Sequence, residues 1–349
     1  VKRSSLLFSA FTILLGIVSP TFASRNAKEI LQAEVPGGIV VYLGVDENEW
    51  AGAMAQTPRY LVHVLDTDQA DIETARAEFD QLGIYGKASA ETFDGTHLPY
   101  GDHTINAIVV NDPMQVPVEE LDRVLAPGGV LMVRGEVSPD GIVPQKWDKI
   151  GPLGLWRKPW PETIDQWPQF LRDASGNAVS RDERIYRPRH MQWYAGPRHS
   201  RHHDALSSLS AMTTGGGRMF YIFDEGATSL MHRPPHWKLI ARDAFNGKLL
   251  WKRDIPTWMT HLYNFRAGPK QLPRRLVSVD DHVYTMLGLS APIVKLDAAT
   301  GETLLTYPGS EKAEEIVLHD DRLLAVIGDP ELWVEKSDGC HGYWELVEY

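Results

Sequence analysis

The stretch Ile240-Ala241-Arg242-Asp243-Ala244-Phe245-Asn246-Gly247-Lys248-Leu249-Leu250-Trp251 returns fifty-four positions later as Val294-Lys295-Leu296-Asp297-Ala298-Ala299-Thr300-Gly301-Glu302-Thr303-Leu304-Leu305. Each copy reads as a strand, an Asp-initiated turn with Gly at the position needing positive φ, and a second strand, which makes a β-hairpin. Asp281 to Met286 and Asp321 to Val326 read as further strands of the same kind. A repeat of roughly 40 to 55 residues with several strands per unit builds sheets that bury their apolar faces only against one another. The 23 Pro, 29 Gly and 11 Trp supply the turn formers and large apolar groups that such a region needs.

At 349 residues the chain is long enough for a second core. Val40 to Gly44 reads as a buried strand ending in a turn, Glu47 to Gln56 as a helix, and Tyr60 to Leu65 as a strand closed by Asp66. Ile72, Ala75 and Phe79 share one helical face. Lys87 to Thr92 is a third predicted strand. Ile105 to Val110 is a fourth, uncharged and rich in β-branched residues, as a strand covered on both faces requires. Val118 to Leu125 reads as a helix stopped by Pro127-Gly128-Gly129, and Val130 to Val133 as a fifth strand. Alternating strands and helices imply right-handed crossovers and a parallel sheet. The turn after the first strand is Gly44-Val45-Asp46-Glu47-Asn48-Glu49-Trp50, with a single glycine where a cofactor needs bare backbone. Asp46 and Glu47 would repel an anionic group there, and Asp46 with Glu49 forms a capping pattern that competes for the same helix amides.

The segments Asp94-Gly95-Thr96-His97-Leu98-Pro99-Tyr100 and Arg123-Val124-Leu125-Ala126-Pro127-Gly128-Gly129 resemble motifs of class I methyltransferases that use S-adenosylmethionine. The resemblance covers residues 28 to 135 and implies a Rossmann-like α/β domain. It implies that Asp66 binds the ribose hydroxyls and that Asp94 lies beside the adenine. Gly44, Asp66, Asp94 and Gly95 are therefore the candidate cofactor contacts. No catalytic residue follows from the motifs, because methyl transfer rests mainly on positioning.

Trp167-Pro168-Gln169-Phe170, followed by Gly176-Asn177-Ala178-Val179-Ser180 and by Met191-Gln192-Trp193, resembles the opening of propellers related to pyrroloquinoline-quinone dehydrogenases. The second fold is thus expected to be an all-β propeller, and an incomplete one. Residues 167–349 hold about three or four units at the observed period, so a truncated form of a longer protein or completion by a partner is expected. Trp344 to Tyr349 reads as the middle of a strand. The vicinal cysteine pair of the quinoprotein alcohol dehydrogenases has no counterpart, since Cys340 is single, and pyrroloquinoline quinone is not an expected cofactor.

Lys2 and Arg3, the apolar run Leu6 to Val18, and Ser19-Pro20-Thr21-Phe22-Ala23 form an export signal with cleavage after Ala23, leaving no transmembrane segment in the mature chain. This places the protein in the periplasm or outside the cell. A net charge of −11, more acidic still without the signal, gives no attraction for nucleic acid. His199-Ser200-Arg201-His202-His203, with His190 and His261, has metal-ligand spacing, but Arg198 and Arg201 oppose a cation, and no metal is expected.

The expected division is a signal at 1–23, a methyltransferase-like domain at 24–137, a Trp/Pro-rich linker at 138–166 that packs on its surroundings rather than hanging free, and a partial propeller at 167–349. The whole resembles an exported fusion family of planctomycete-type bacteria. It implies a propeller that binds a protein, peptide or polysaccharide beside a degenerate methyltransferase-like domain of little or no activity. A working S-adenosylmethionine-dependent methyltransferase is the alternative, and a quinone-type oxidoreductase a second one.

Overall fold

The computed structural model describes residues 27–45, 49–111, 116–134, 143–150, 154–187, 191–196, 199, 208–228, 233–258 and 271–328. The export segment, Asp46 to Asn48, Cys340 and Trp344 to Tyr349 lie outside these residues, as do all of the histidine cluster except His199.

The first half comprises α1 (Ala27–Glu34), β1 (Gly38–Leu43), α2 (Glu49–Ala55), β2 (Tyr60–Asp66), α3 (Gln69–Gln81), β3 (Ala88–Thr92), β4 (Ile105–Val110), α4 (Val118–Val124), β5 (Leu125–Val133), β6 (Asp148–Lys149) and β7 (Leu155–Arg157). They form one sheet in the order β3-β2-β1-β4-β5-β7-β6. The strands β1 to β5 run parallel, whereas β7 is antiparallel to both β5 and β6. The order reverses between β1 and β4, the switch point at which open α/β sheets place ligands.

Strand alternation divides the core. Val40, Tyr42, Val62, Val64 and Val109 pack with Leu31, Met54, Ile72 and Phe79 of α1, α2 and α3 on one face. Val41, Leu43, Leu65 and Ile108 pack with Leu121 and Val124 of α4 and with Trp147 and Trp156 on the other. Each buried Val, Ile or Leu contributes about 1.5–3 kcal/mol.

Three expectations are corrected here. The sheet is mixed rather than parallel. The strand expected at Val130 begins at Leu125, directly after α4, and runs through Pro127-Gly128-Gly129 with a register shift opposite Ile105 and Ala107. The segment expected as a packed linker at 138–166 does pack, with Trp147 and Trp156 buried in the core, but it also supplies β6 and β7 to the sheet.

The second half comprises β8 (Leu209–Gly215), β9 (Arg218–Asp224), β10 (Trp237–Asp243), β11 (Leu249–Asp254), a 3-10 turn at Leu272–Arg275, β12 (Leu276–Val279), β13 (His282–Met286), β14 (Ile293–Asp297), β15 (Thr303–Tyr307), β16 (Ala313–His319) and β17 (Arg322–Ile327). β8 to β11 and β12 to β15 are two four-stranded antiparallel meanders, and β16 pairs with β17.

The repeat read in the sequence recurs in the hydrogen bonds of both hairpin turns. Asp243 Oδ1 accepts the amides of Phe245 and Asn246, as Asp297 Oδ1 accepts those of Ala299 and Thr300. Both hairpins carry a register shift one residue before the Leu or Arg that precedes the Asp, at Ala241/Arg242 and Lys295/Leu296. Gly247 and Gly301 hold φ of 73° and 75°. A tryptophan lies on each glycine: Trp193 Nε1 donates to Ala244 O at 3.1 Å, and Trp251 Nε1 to Ala298 O at 2.9 Å.

Trp167, Pro168 and Gln169 tie the three sheets together. Trp167 O accepts from Thr214 N of β8 at 2.9 Å and Pro168 O from Ser278 N of β12 at 2.8 Å. The Gln169 side chain donates to Leu318 O at 2.9 Å and accepts from Leu318 N at 3.1 Å on β16. The two halves meet where the N-terminal end of β4 touches the hairpin of β10 and β11. Asn106 Nδ2 donates to Asp243 Oδ2 at 2.6 Å, and Asn246 Nδ2 donates to Asn106 Oδ1 at 2.7 Å.

Candidate cofactor site

The carboxyl ends of β1, β2 and β4 carry the residues singled out in the sequence. Gly44 follows β1 with φ of 89°, a left-handed conformation that glycine adopts without steric penalty. Its amide donates to Leu65 O at 2.8 Å, which fixes it beside the end of β2. Asp66 closes β2 and is 8% exposed. Its Oδ2 accepts from Val45 N at 2.7 Å and its Oδ1 from Asp68 N at 3.0 Å. Asp68 in turn caps α3 by accepting from Ala70 N at 2.7 Å.

Asn111, just past β4, closes the other side of the switch point. Its Nδ2 donates to Gly44 O at 3.0 Å and its Oδ1 accepts from Arg134 at 3.1 Å. Gly44 O and Val45 N, adjacent backbone groups of this turn, are thus both engaged by side chains of the protein. Asn111 and Arg134 carry no motif, and sequence reading passed over them. The only signal was their position, one residue past strands expected from the apolar runs.

Asp94 and Gly95 lie on a neighbouring loop, Asp94 exposed and Gly95 buried. Asp94 Oδ1 accepts from His97 N at 2.6 Å, from Thr96 N at 2.8 Å and from Thr96 Oγ1 at 3.0 Å. These bonds, the one from His97 foremost, hold its carboxyl below the usual carboxylate range. Gly95 has φ of 81°, and a Cβ there would lie 3.1 Å from Thr67 Cγ2, so this loop packs next to the end of β2. The structure therefore brings Gly44 to Asp66, and Gly95 to the neighbour of Asp66, while the Asp94 carboxylate is turned to its own loop amides.

The two motif segments are joined by Arg123. It donates to Leu98 O at 3.1 Å, Tyr100 O at 2.8 Å and Asp102 Oδ1 at 2.8 Å, and it pairs with Glu120 at 2.6 Å. Glu120 completes the loop by accepting from Leu98 N at 2.9 Å. In this chain the motifs hold a loop to a helix. Beneath them Tyr100 Oη lies 2.8 Å from His63 Nδ1, and burial keeps the His63 imidazole below its ordinary pKa.

The turn carboxylates Asp46 and Glu47, and the metal-spaced histidines other than His199, lie outside the described residues. Among the described residues no cluster of three or more His, Cys, Asp or Glu is arranged to hold a metal ion. No helix among them is long and apolar enough to cross a membrane.

No protein-family model matches the chain, and no curated protein matches it. Solved structures similar to its N-terminal part include S-adenosylmethionine-dependent methyltransferases. One from Aquifex aeolicus is 15% identical, with 37% of this chain and 86% of that chain covered and a TM-score of 0.30. Geranyl diphosphate C-methyltransferase from Streptomyces coelicolor, solved with S-adenosyl-L-homocysteine, is 16% identical over 31% of this chain and 43% of that chain, with a TM-score of 0.28. The [4+2]-cyclase SpnF is 20% identical over 31% of this chain and 43% of that chain, again with a TM-score of 0.28. The chain thus spans less than half the length of the latter two. At these identities and TM-scores none of those proteins' chemistry transfers to its residues.

Proposed function

We propose that this chain is a binding protein in which a methyltransferase-like α/β domain serves as a platform for a repeat half of β-propeller type. The reading is carried by the engaged turn at the switch point. A cofactor lying over Gly44 would have to displace the Asp66 bond to Val45 N and the Asn111 bond to Gly44 O. Each displaced pair costs about 0.5–3 kcal/mol before any new contact forms. Isothermal calorimetry of the full chain with S-adenosylmethionine tests it: no saturable heat is expected at micromolar ligand, and micromolar binding would contradict the reading.

The propeller reading is supported by Trp167 to Gln169, consecutive residues that bond the first strands of three successive sheets. Strands reached by adjacent residues lie side by side, as the inner strands of blades do around an axis. The repeat half is the part that would meet a protein, peptide or polysaccharide. Export to the periplasm or beyond rests on the composition of residues 1–23.

A working methyltransferase is the second reading. It is favoured by the place of Asp66 alone, a carboxylate at the carboxyl end of β2, where the resemblance puts the group that binds the ribose hydroxyls.

A further inference from the structure

The stretch of chain that leads into the repeat half is charged oppositely to the rest. Between Arg181 and His203 the sequence holds six arginines, two acids and no lysine, in a chain of net charge −11. Residues 181–187 of this stretch are described without a break.

Their backbone is pinned. Arg181 N donates to Asp165 Oδ2 at 2.7 Å and Glu183 N to Thr163 O at 2.9 Å. Asp182 engages its carboxylate with backbone amides: Oδ2 accepts from Asp165 N at 3.2 Å, and Oδ1 from Arg184 N at 2.7 Å and Ile185 N at 2.8 Å. Asp165 is held in turn by Arg172 at 2.7 Å. One of the two local acids is thereby taken up by the fold, which leaves Glu183 as the exposed one.

The remaining side chains face solvent. Arg181, Arg184 and Arg187 are exposed, and Ile185 and Tyr186 are 73% and 74% exposed. No ion pair or side-chain hydrogen bond holds the Arg184 or Arg187 guanidinium among the described residues. An arginine at every third position spreads positive charge along a line, with successive arginines at most about 10 Å apart. That suits a linear ligand with repeated anionic groups better than one small anion. Guanidinium groups bind carboxylates in bidentate geometry, which favours a carboxylate polymer. A polymer as densely charged as a nucleic acid duplex, with one charge per about 1.7 Å, is repelled by the acidic remainder of the chain. A uronic-acid polymer carries its carboxylates one to a sugar, and its rings offer apolar faces to an exposed tyrosine such as Tyr186. An acidic peptide has the carboxylates without those faces.

We propose that residues 181–187 bind an acidic polysaccharide of uronate type, its carboxylates on Arg184 and Arg187 and a sugar ring on Tyr186. This deepens the binding-protein reading and rests on it for the kind of protein the chain is, but it is independent of whether S-adenosylmethionine binds at the β1 turn.

Affinity electrophoresis of the full chain, in native gels containing polygalacturonate, dextran or polyglutamate, tests it on the wild type, on Arg184→Gln/Arg187→Gln and on a control, Lys312→Gln/Arg322→Gln, which removes the same charge from exposed positions elsewhere. Polygalacturonate is expected to retard the wild type and the control, dextran to retard neither, and polyglutamate to act more weakly. Arg184→Gln/Arg187→Gln is expected to weaken polygalacturonate binding about tenfold at an unchanged thermal midpoint. The comparison of polymers on the wild type stands without any substitution. No retardation by polygalacturonate, equal retardation by dextran or polyglutamate, or an equal loss in the control overturns the proposal. None of these results alters the calorimetric outcome with S-adenosylmethionine, so the two readings fail separately.

Discussion

At the scale of the residue, the repeat half is set by a glycine and the indole that covers it. Gly301 holds φ of 75°, and a Cβ there would stand 2.6 Å from the Trp251 ring. Gly301→Ala combines a backbone penalty with a clash that a ring fixed by its bond to Ala298 O relieves poorly. We expect a loss of about 2 to 4 kcal/mol in urea unfolding; a loss under about 1 kcal/mol would mean that the indole moves aside freely. The need for positive φ was legible from the Asp-x-x-x-Gly turn. The indole was not, because a repeat period specifies backbone turns and says nothing of which side chain from the preceding sheet lies over them. Asn111 was hidden for a similar reason: its role comes from the neighbour that β4 acquires in the sheet.

At the scale of the element, long uninterrupted apolar runs were readable and short or interrupted strands were not. Ile105 to Val110 was legible to the residue because both faces of β4 are covered. The strands β6 and β7, with two and three residues, are too short to show a period. The start of β5 was missed because Pro127-Gly128-Gly129 reads as a helix stop, whereas the sheet tolerates it at a register shift. Within β2, His63 gives a test by pH. Its ordinary value is 6.5, and burial lowers it in the folded chain, opposed by Glu91 at 3.9 Å, while Tyr100 bonds its Nδ1. Below the ordinary value the unfolded chain gains a proton that the folded chain resists, so stability falls as pH drops from there to the lowered folded value. His63→Gln should flatten the stability curve between about pH 7 and pH 5 relative to wild type. Identical slopes for the two proteins would show that the imidazole titrates freely.

At the scale of the whole molecule, the two halves are joined by a polar lock centred on Asn106. Its Oδ1 accepts from Ile39 N at 2.8 Å and from Asn246 at 2.7 Å, and its Nδ2 donates to the buried Asp243 at 2.6 Å. Asn106→Ala strands these groups and should cost about 2 to 4 kcal/mol, with two calorimetric unfolding transitions in place of a joint one. A single transition at the wild-type temperature would place the coupling elsewhere. The sequence showed two folds but not their junction, because partners 137 residues apart leave no local pattern. It also set the argument about the cofactor turn on Asp46 and Glu47, whereas the described residues that engage the turn are Asp66 and Asn111. That engagement is the central claim, and hydrogen exchange at residues 44 to 68, with and without S-adenosyl-L-homocysteine at millimolar concentration, tests it most directly. The account expects Val45 and Asp68 amides that are protected in the free protein and unchanged by the ligand. Unprotected amides that become protected when the ligand is added would contradict it.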